Sequence, residues 1–420
     1  MSAASVRAPR GTHDVLPEQA PARAALESRA RAILEPAGYE RIETPAFEAT
    51  ELFARGVGES TDIVQKEMYT FLDGGGRSLS LRPEGTAPVC RAYLEHGMHK
   101  RPQPVRLWYL SSFFRYERAQ AGRQRQFWQV GAEALGSDDP ALDAELIALL
   151  ARLLEEMGVA EVRLRLSSLG DPESRGAYRE RLQRYLRSHE GELAPDVTAR
   201  IDANPLRAFD SQHAGTMRVM EGAPRLLEEL SAEDAEHFAT VRQLLDAAEI
   251  PYEVDPTLVR GLDYYTRTVF EFTSEALGAQ SGVGGGGRYD GLVQLLGGPP
   301  TPAIGFAAGV ERILLASGAT EHENAPCAPD LFLAIAGEQR RASAFALLQQ
   351  ARRAGLAAQM ELAGRSLKRQ LGHADRLGAR YVAIVDHPQT VLKDMRDGSQ
   401  TELEANMLVH AVLRGLRDLT

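Results

Sequence analysis

Four arginines, Arg115, Arg118, Arg123 and Arg125, fall within residues 114–133, the run FRYERAQAGRQRQFWQVGAE, interleaved with aromatic side chains. The chain around them is acidic, with 58 Asp and Glu against 48 Lys and Arg and a net charge of −10. Guanidinium groups present planar donor forks that match phosphate oxygens. A local cluster of them in an acidic protein suits a nucleotide phosphate and the end of a nucleic acid. The run reads as strand, loop, strand, in which residues two apart share a face. Arg115 and Glu117 then point one way, Phe114 and Tyr116 the other. On the returning strand Gln129, Gly131 and Glu133 share a face, and Gly131 leaves a gap between an amide and a carboxylate. A small polar ligand would fill that gap. Taken alone, the stretch is equally a solvated hairpin with scattered arginines.

Other stretches add groups of the same kind. LRPEGTAPVCRA (residues 81–92) supplies Arg82, Glu84 and Thr86, again two apart. Glu84 would neutralise an ammonium and Thr86 add a hydrogen bond; a plain turn at Pro83 and Gly85 is the alternative. VRGLDYYTRTVFEF (259–272) places Arg260, Asp263, Tyr264 and Tyr265 just before a strand, a setting for an anionic or aromatic ligand or for buried structural tyrosines. SGVGGGGRYDGL (281–292) contains the spacing G-x-G-x-x-G in Gly282, Gly284 and Gly287. No helix start or distant acid accompanies it, so a dinucleotide fingerprint is rejected. Backbone passing close to something flat explains the glycines better. PAIGFAAGVERILLA (302–316) reads as a strand ending at Gly305 and a helix carrying Arg312, with Gly305 and Gly309 letting helix sit tightly on sheet. Arg312 would reach a phosphate or lie on the helix surface. No P-loop occurs, so side-chain cations and a metal ion would have to hold ATP if it is used.

The elements that position these groups follow from pattern and length. At 420 residues the chain is expected to hold two or three domains. The N-terminus lacks a secretion signal and no apolar run reaches bilayer length, which gives an expectation of a cytoplasmic protein with no membrane association. Cys90 and Cys327 lie far apart, so no disulfide framework or cysteine metal site is expected, and no protein metal ligand is assigned. EMYTFLDGGGRSLSLRPEG forms two strands about the Asp73-Gly74-Gly75-Gly76 turn. VRLWYLSSFFRYE, RQFWQVGAEAL and RTVFEFT are further strands. An antiparallel sheet with flanking helices fits better than a doubly wound parallel one, an α+β class. From Asp171 to about Glu249 helical periodicity dominates, opened by Asp171-Pro172, and strand-rich sequence resumes afterwards. This is read as an inserted helical subdomain. Residues 316–330 form a linker. Beyond it come strand DLFLAIAG, two helices, strand RYVAIVD and a final helix from about Thr401, a small α/β domain. From Pro329 onward 13 Lys and Arg face 10 Asp and Glu, a net of +3, which directs that piece toward anionic partners.

Together these stretches resemble the histidyl-tRNA synthetases, class II aminoacyl-tRNA synthetases, across nearly the whole chain. The resemblance rests on RGTHDVLP, TDIVQKEMYTF, LRPEGTAP, FRYERAQAGRQRQF, RGLDYYTRTVFEF, GGGGRYDGL, AIGFAAGVERI and KDMRDGSQ, with Pro45 of ETPAFE at the motif 1 proline. RGLDYY and GGRYDGL are the specific pair, matching the family's histidine-recognition motifs. The resemblance implies a class II catalytic domain over 1–325 with a helical insertion over about 172–250, an anticodon-binding domain over 326–420, and a homodimer. It also implies the reaction: L-histidine is activated with ATP to histidyl-adenylate, then transferred to the 3′ end of tRNA(His), with Mg²⁺ on the β- and γ-phosphates.

Carried over by resemblance, Glu84 and Thr86 bind the amino group of histidine, and Gln129 holds the carboxylate region. Glu133 and Tyr265 engage the imidazole, with Tyr264 and Tyr289 lining the pocket. Arg115 binds the α-phosphate and Arg312 the γ-phosphate end, with Arg123 also in the ATP set. Arg260 matches the family's catalytic arginine. Departures from the family pattern are Ala119, Gln124 and Trp128, which bear on acceptor-stem contacts, and the short segment HPQTVLKDM after RYVAIVD. A rival is a catalytically inactive regulatory paralogue that partners ATP phosphoribosyltransferase in histidine biosynthesis. That paralogue typically lacks the C-terminal domain and loses motif residues, whereas this chain keeps Arg115, Arg260 and Arg312. A nucleic-acid-binding module without catalysis leaves Glu84, Gln129 and Glu133 unexplained.

Overall fold

The computed structural model describes residues 6–58, 61–118, 122–202, 204–258, 262–278, 281–319, 328–386 and 389–417. The chain divides into two compact units, Met1–Thr320 and Glu321–Thr420. The strands of the first unit are β1 (Glu40–Arg41), β2 (Phe47–Ala49), β3 (Thr70–Leu72), β4 (Ser78–Leu81), β5 (Val105–Phe114), β6 (Gln126–Leu135), β7 (Val162–Ser168), β8 (Glu253–Val254), β9 (Thr266–Ser274), β10 (Gly282–Arg288) and β11 (Ala303–Gly309). Among the described residues eight of them make one sheet in the order β1-β5-β6-β11-β10-β9-β7-β8. The six central strands pair antiparallel, and only the two-residue edge strands β1 and β8 pair parallel. The antiparallel sheet expected from sequence is therefore present. A separate sheet, β2-β4-β3, carries the Asp73 turn, where Asp73 Oδ1 accepts from the backbone N–H groups of Gly75 (2.8 Å) and Arg77 (2.9 Å).

Strand alternation divides the large sheet into two faces. Trp108, Val130, Ala132, Ala134, Ile304, Phe306 and Ala308 are buried against the helices Ala20–Leu34, Pro140–Glu156 and Ala232–Ala247. Each large apolar side chain buried there stabilises the fold by about 1.5–3 kcal/mol. The helices begin where the sequence allows: Asp139 Oδ1 caps Ala141 N–H at 2.9 Å ahead of Pro140, and Ser231 caps Asp234 N–H at 3.1 Å. The opposite face carries Gln129, Gly131, Glu133, Gly305 and Ala307, and there the site forms.

Residues 172–247 are helical, with Pro172–Ser188, Pro195–Thr198, Ala214–Glu221 and Ala232–Ala247. Asp171 Oδ1 accepts from Ser174 N–H at 2.7 Å, so the Asp-Pro signal starts a helix as read from sequence. Tyr178, Leu182 and Leu186, four residues apart, form the buried stripe of that helix.

The second unit contains β12 (Leu331–Ile335), β13 (Ala358–Met360), β14 (Tyr381–Asp386), β15 (Gln389–Asp394) and β16 (Gln400–Glu404), ordered β13-β12-β14-β15-β16. Leu331, Leu333 and Ile335 pack on helices Arg341–Arg353 and Leu408–Arg417, while Phe332 and Ala334 pack on Leu367–Arg376. The helix expected from about Thr401 begins instead at Leu408, because Thr401 belongs to β16 and pairs with Leu392. The hairpin β15–β16 turns at the Asp-Gly of residues 397–398, a turn signal that sequence reading absorbed into a motif rather than a hairpin.

Candidate active site

The face of the antiparallel sheet opposite the helices Ala20–Leu34, Pro140–Glu156 and Ala232–Ala247 is hollowed into two adjoining cavities. The smaller, about 180 Å³, is lined by Glu84, Thr86, Tyr109, Arg115, Gln129, Tyr264, Tyr265 and Tyr289, with Gly285, Gly305 and Ala307 among the floor residues. The larger, about 630 Å³, is lined by Arg115, Glu117, Arg123, Gln124, Phe127, Gln129, Glu271, Gly285, Ala307, Glu311 and Arg312 among others. Arg115, Gln129, Gly285 and Ala307 border both, so they form the junction. The floor follows from strand register: Gly131 pairs with Ala307 and Ala307 with Gly285, a row of small residues across three strands, which Tyr109 continues on β5 opposite Gly131.

Glu133 is the buried hub beneath the smaller cavity, with 0% exposure. Its Oε1 accepts from Thr86 Oγ1 at 2.9 Å and from Tyr109 OH at 3.3 Å, and its Oε2 accepts from Tyr289 OH at 2.6 Å. Burial raises its pKa to about 8 against the lowering effect of the Tyr289 and Thr86 hydroxyls. Gly305 makes room for it, since a Cβ there would stand 1.6 Å from Glu133 Oε2. The strand expected to end at Gly305 runs on to Gly309, so neither glycine seats a helix on the sheet; Gly305 seats a carboxylate.

Tyr109 was not among the residues singled out from sequence, where it reads as one more aromatic in an apolar strand. Its ring occupies the gap expected above Gly131: a Cβ at Gly131 would lie 2.3 Å from Tyr109 Cζ, and one at Gly85 2.5 Å. The ligand space therefore lies beside that ring, not over Gly131. The signal that could have found it is a glycine facing a tyrosine across a hairpin. Glu84 is also buried, and burial raises its pKa. Its carboxylate accepts from Thr86 N–H (2.7 Å) and Ala87 N–H (3.1 Å), capping the helix Thr86–Glu95 while it faces the cavity. Tyr264 stacks obliquely on Tyr265 (4.8 Å between centroids) and edge-on to Tyr289 (5.7 Å).

In the larger cavity Arg115 donates from Nε to Pro83 O at 2.9 Å and lies over the Phe127 ring, which fixes its head at the junction. Strand β5 ends at Phe114, so Arg115 and Glu117 stand on the loop beyond it rather than in the strand. Arg123 pairs with Glu117 at 2.8 Å. Burial, and then the like charge of Arg123, lower the pKa of Arg312. Arg115, Arg123 and Arg312 thus share one cavity with the carboxylates of Glu117, Glu271 and Glu311. Glu311 accepts from Arg23 (2.7 Å) and from Trp128 N–H (3.0 Å), locking the end of β6 to the helix Val310–Ala316. Among the described residues no group of three or more His, Cys, Asp or Glu could hold a metal ion by itself. Glu117 and Glu271 on the cavity wall fit a magnesium ion held mainly by substrate phosphates, which needs only one or two carboxylates.

The remaining groups separate into other places. Arg82 is buried away from the site, where it donates to Thr44 O (2.6 Å), Pro45 O (3.3 Å) and Ser112 O (2.8 Å) and ties the strand entry together. In β10, Gly285 faces both cavities, while Gly286 and Gly287 answer to neighbouring backbone: their Cβ atoms would lie 1.9 Å from Gly305 O and 2.5 Å from Thr268 O. Arg260, and Ala119 among the departures, lie outside the described residues. Gln124 lines the larger cavity.

With this geometry in place, a family profile described as histidyl-tRNA synthetase matches residues 11–313. The chain belongs to the histidyl-tRNA synthetase family. It is similar to a histidine–tRNA ligase of Desulfitobacterium hafniense, 48% identical over 408 residues that cover 95% of this chain and 96% of that one. Among solved structures it is similar to the apo histidyl-tRNA synthetase of S. aureus, 36% identical with a TM-score of 0.80, covering 97% of this chain and 100% of that one. A Bacillus halodurans structure described as an ATP phosphoribosyltransferase regulatory subunit/histidyl-tRNA synthetase is 25% identical, with a TM-score of 0.63 over 86% of this chain and 93% of that one. The histidyl-tRNA synthetase fold, a mixed sheet with flanking helices, is the one observed. No helix among the described residues is long and apolar enough to cross a membrane.

Proposed function

We propose that the protein is a histidine–tRNA ligase that forms histidyl-adenylate from L-histidine and ATP and passes the histidyl group to the 3′-terminal ribose of tRNA(His). The observation that carries the reading is the shared border of the two cavities. A pocket of about 180 Å³ with the Glu84 carboxylate, hydroxyls and aromatic rings opens, past Arg115 and Gln129, into one of about 630 Å³ bordered by arginines. Histidine in the first and ATP in the second would meet at that border. Glu84 and Thr86 take the ammonium, Glu133, Tyr264, Tyr265 and Tyr289 the imidazole, and Gln129 the carboxylate.

The histidine carboxylate oxygen attacks the α-phosphorus, and pyrophosphate departs from the opposite side. The 3′-terminal ribose hydroxyl then attacks the carbonyl carbon, and AMP leaves. Neither step needs a covalent bond to the protein; both need alignment and stabilised charge on phosphate oxygens. Arg115 supplies that at the α-phosphate, Arg123 and Arg312 at the far phosphates, and Arg260 is assigned the catalytic role on the strength of RGLDYY. Glu117 or Glu271 would hold a Mg²⁺ ion together with the substrate phosphates, and that ion would supply charge neutralisation on the β- and γ-phosphates. Hydrogen-bonding groups built for both imidazole nitrogens reject apolar isosteres by about 10⁴–10⁵, so no editing site is required.

The second unit is assigned to the tRNA anticodon, supported by its net positive charge, and the working form to a cytoplasmic homodimer. ATP–pyrophosphate exchange with each amino acid in turn tests the reading. Histidine alone should support exchange. A folded protein that shows none with histidine would put the regulatory paralogue ahead.

A further inference from the structure

Arg175 lies in the first turn of the insertion helix Pro172–Ser188. Its Nη1 donates to Asp263 O at 2.9 Å and to Tyr265 O at 2.8 Å. Those two carbonyls bracket Tyr264, so one –NH₂ group fixes the backbone on both sides of a pocket ring. The contact is not isolated. Tyr265 belongs to the same buried cluster as Tyr178, Leu182 and Leu226 of the insertion, and Tyr264 packs on that cluster. From the other side Asp263 N–H reaches Val57 O at 3.3 Å, and the Asp263 side chain lies so close to Gly58 that a Cβ there would be 2.8 Å from Oδ2. The segment Asp263–Tyr265 is thus held between the insertion and the catalytic unit's small-sheet region.

The insertion has a second anchor that does not involve this segment. Asp234 Oδ2 accepts from Asp171 N–H at 2.9 Å, and its Oδ1 accepts from Arg267 Nε at 2.8 Å. Removing Arg175 therefore takes away the insertion's hydrogen bonds to the tyrosine segment without releasing the insertion.

We propose that Arg175 is a positioning residue for the amino-acid substrate, making the helical insertion a support behind the amino-acid pocket by fixing the Asp263–Tyr265 backbone. The inference rests on reading the smaller cavity as the histidine site. Arg175 touches no substrate atom; it acts through Tyr264 and Tyr265. A guanidinium –NH₂ spreads two coplanar hydrogens at the angle two carbonyls need, whereas the lysine ammonium is shorter in reach and differently directed. Movement of the insertion would then be felt as a change in histidine affinity.

The test is ATP–pyrophosphate exchange with Arg175→Gly, Arg175→Lys and, as a control on the same helix, Arg181→Ala, which removes a partly exposed pair with Glu229. Arg175→Gly should raise KM for histidine by about 10- to 100-fold, the scale expected when a binding group is displaced by about 1 Å. KM for ATP should stay within about twofold. Millimolar guanidinium ion should restore much of the loss in Arg175→Gly, Arg175→Lys should fall between that variant and the unaltered protein, and Arg181→Ala should match the unaltered protein. Unchanged histidine KM in either Arg175 variant overturns the inference, as does an equal rise in both KM values that guanidinium does not reverse. If Arg175→Gly does not fold, Arg175→Lys decides by the same criterion. Absence of histidine-dependent exchange in the unaltered protein would instead remove the reading of the cavity on which the inference stands.

Discussion

Replacing Glu133 with glutamine turns the buried carboxyl into a measurable feature of histidine binding. Glu133 titrates near pH 8 in the folded protein, because burial outweighs its three hydroxyl donors. The substrate imidazole ordinarily titrates near about 6.5. A carboxyl–imidazole contact holds one proton between the two groups, whichever side carries it. Between about pH 6.5 and 8 the separated partners already hold that single proton, as neutral carboxyl and neutral imidazole, so binding neither takes up nor releases one. Below the window one proton must leave and above it one must be gained, and affinity falls about tenfold per pH unit on either side. Calorimetric titration with histidine from pH 5.5 to 9.5, in buffers of different ionisation heat, reads both Kd and proton exchange. Glu133→Gln should remove the alkaline limb that Glu133 causes, leaving only that of the substrate ammonium, which is common to both proteins. At neutral pH it should also weaken binding by about 10- to 150-fold, the value of a hydrogen bond to a charged group, about 1.5–3 kcal/mol. An alkaline limb identical in variant and unaltered protein would refute the reasoning.

The same carboxyl predicts a stability profile with a definite sign. Its folded pKa lies above the usual 4.5, so its contribution is full below about pH 4.5 and is lost as pH rises to about 8; Glu133→Gln should flatten that decline in the Tm of the unliganded protein. Arg115→Ala should lower the exchange rate by about 10²–10³ while histidine Kd, read by calorimetry, changes less than about threefold. Arg260→Ala should bind histidine nearly normally and adenylate far more slowly in a single-turnover assay; equal loss of both would make Arg260 a simple anchor. Gly131→Ala should raise KM for histidine and cost about 1–3 kcal/mol in a denaturant melt, because its methyl group would stand 2.3 Å from Tyr109 Cζ.

Much of the site was readable because its residues place polar side chains at even spacing, on one face of a strand or turn. Glu84 and Thr86, and Gln129 and Glu133, all line or underlie the smaller cavity, and that parity holds through the strand β6 and the turn into the helix Thr86–Glu95. Tyr109 was not readable, since an aromatic in VRLWYL has the same local pattern whether it packs a core or walls a pocket. Only the register that sets it opposite Gly131 distinguishes the two. Arg175 escaped for a related reason: its partners are backbone carbonyls 88 and 90 residues away, and carbonyls leave no trace in residue type. The C-terminal hairpin was misread because TELE lacks the apolar alternation of a half-buried strand, β16 being an exposed edge. Arg82 shows the converse, a charge that looked functional and serves to join three backbone carbonyls.

A crystal structure of the protein with a non-hydrolysable histidyl-adenylate analogue bears most directly on the pairing of the two cavities. The imidazole should enter the smaller cavity beside Tyr109 and above Glu133, the adenosine should fill the larger one, and the bridging phosphate mimic should lie against Arg115. An analogue bound with its imidazole away from Glu133, or with the phosphate mimic out of reach of Arg115, would contradict the account.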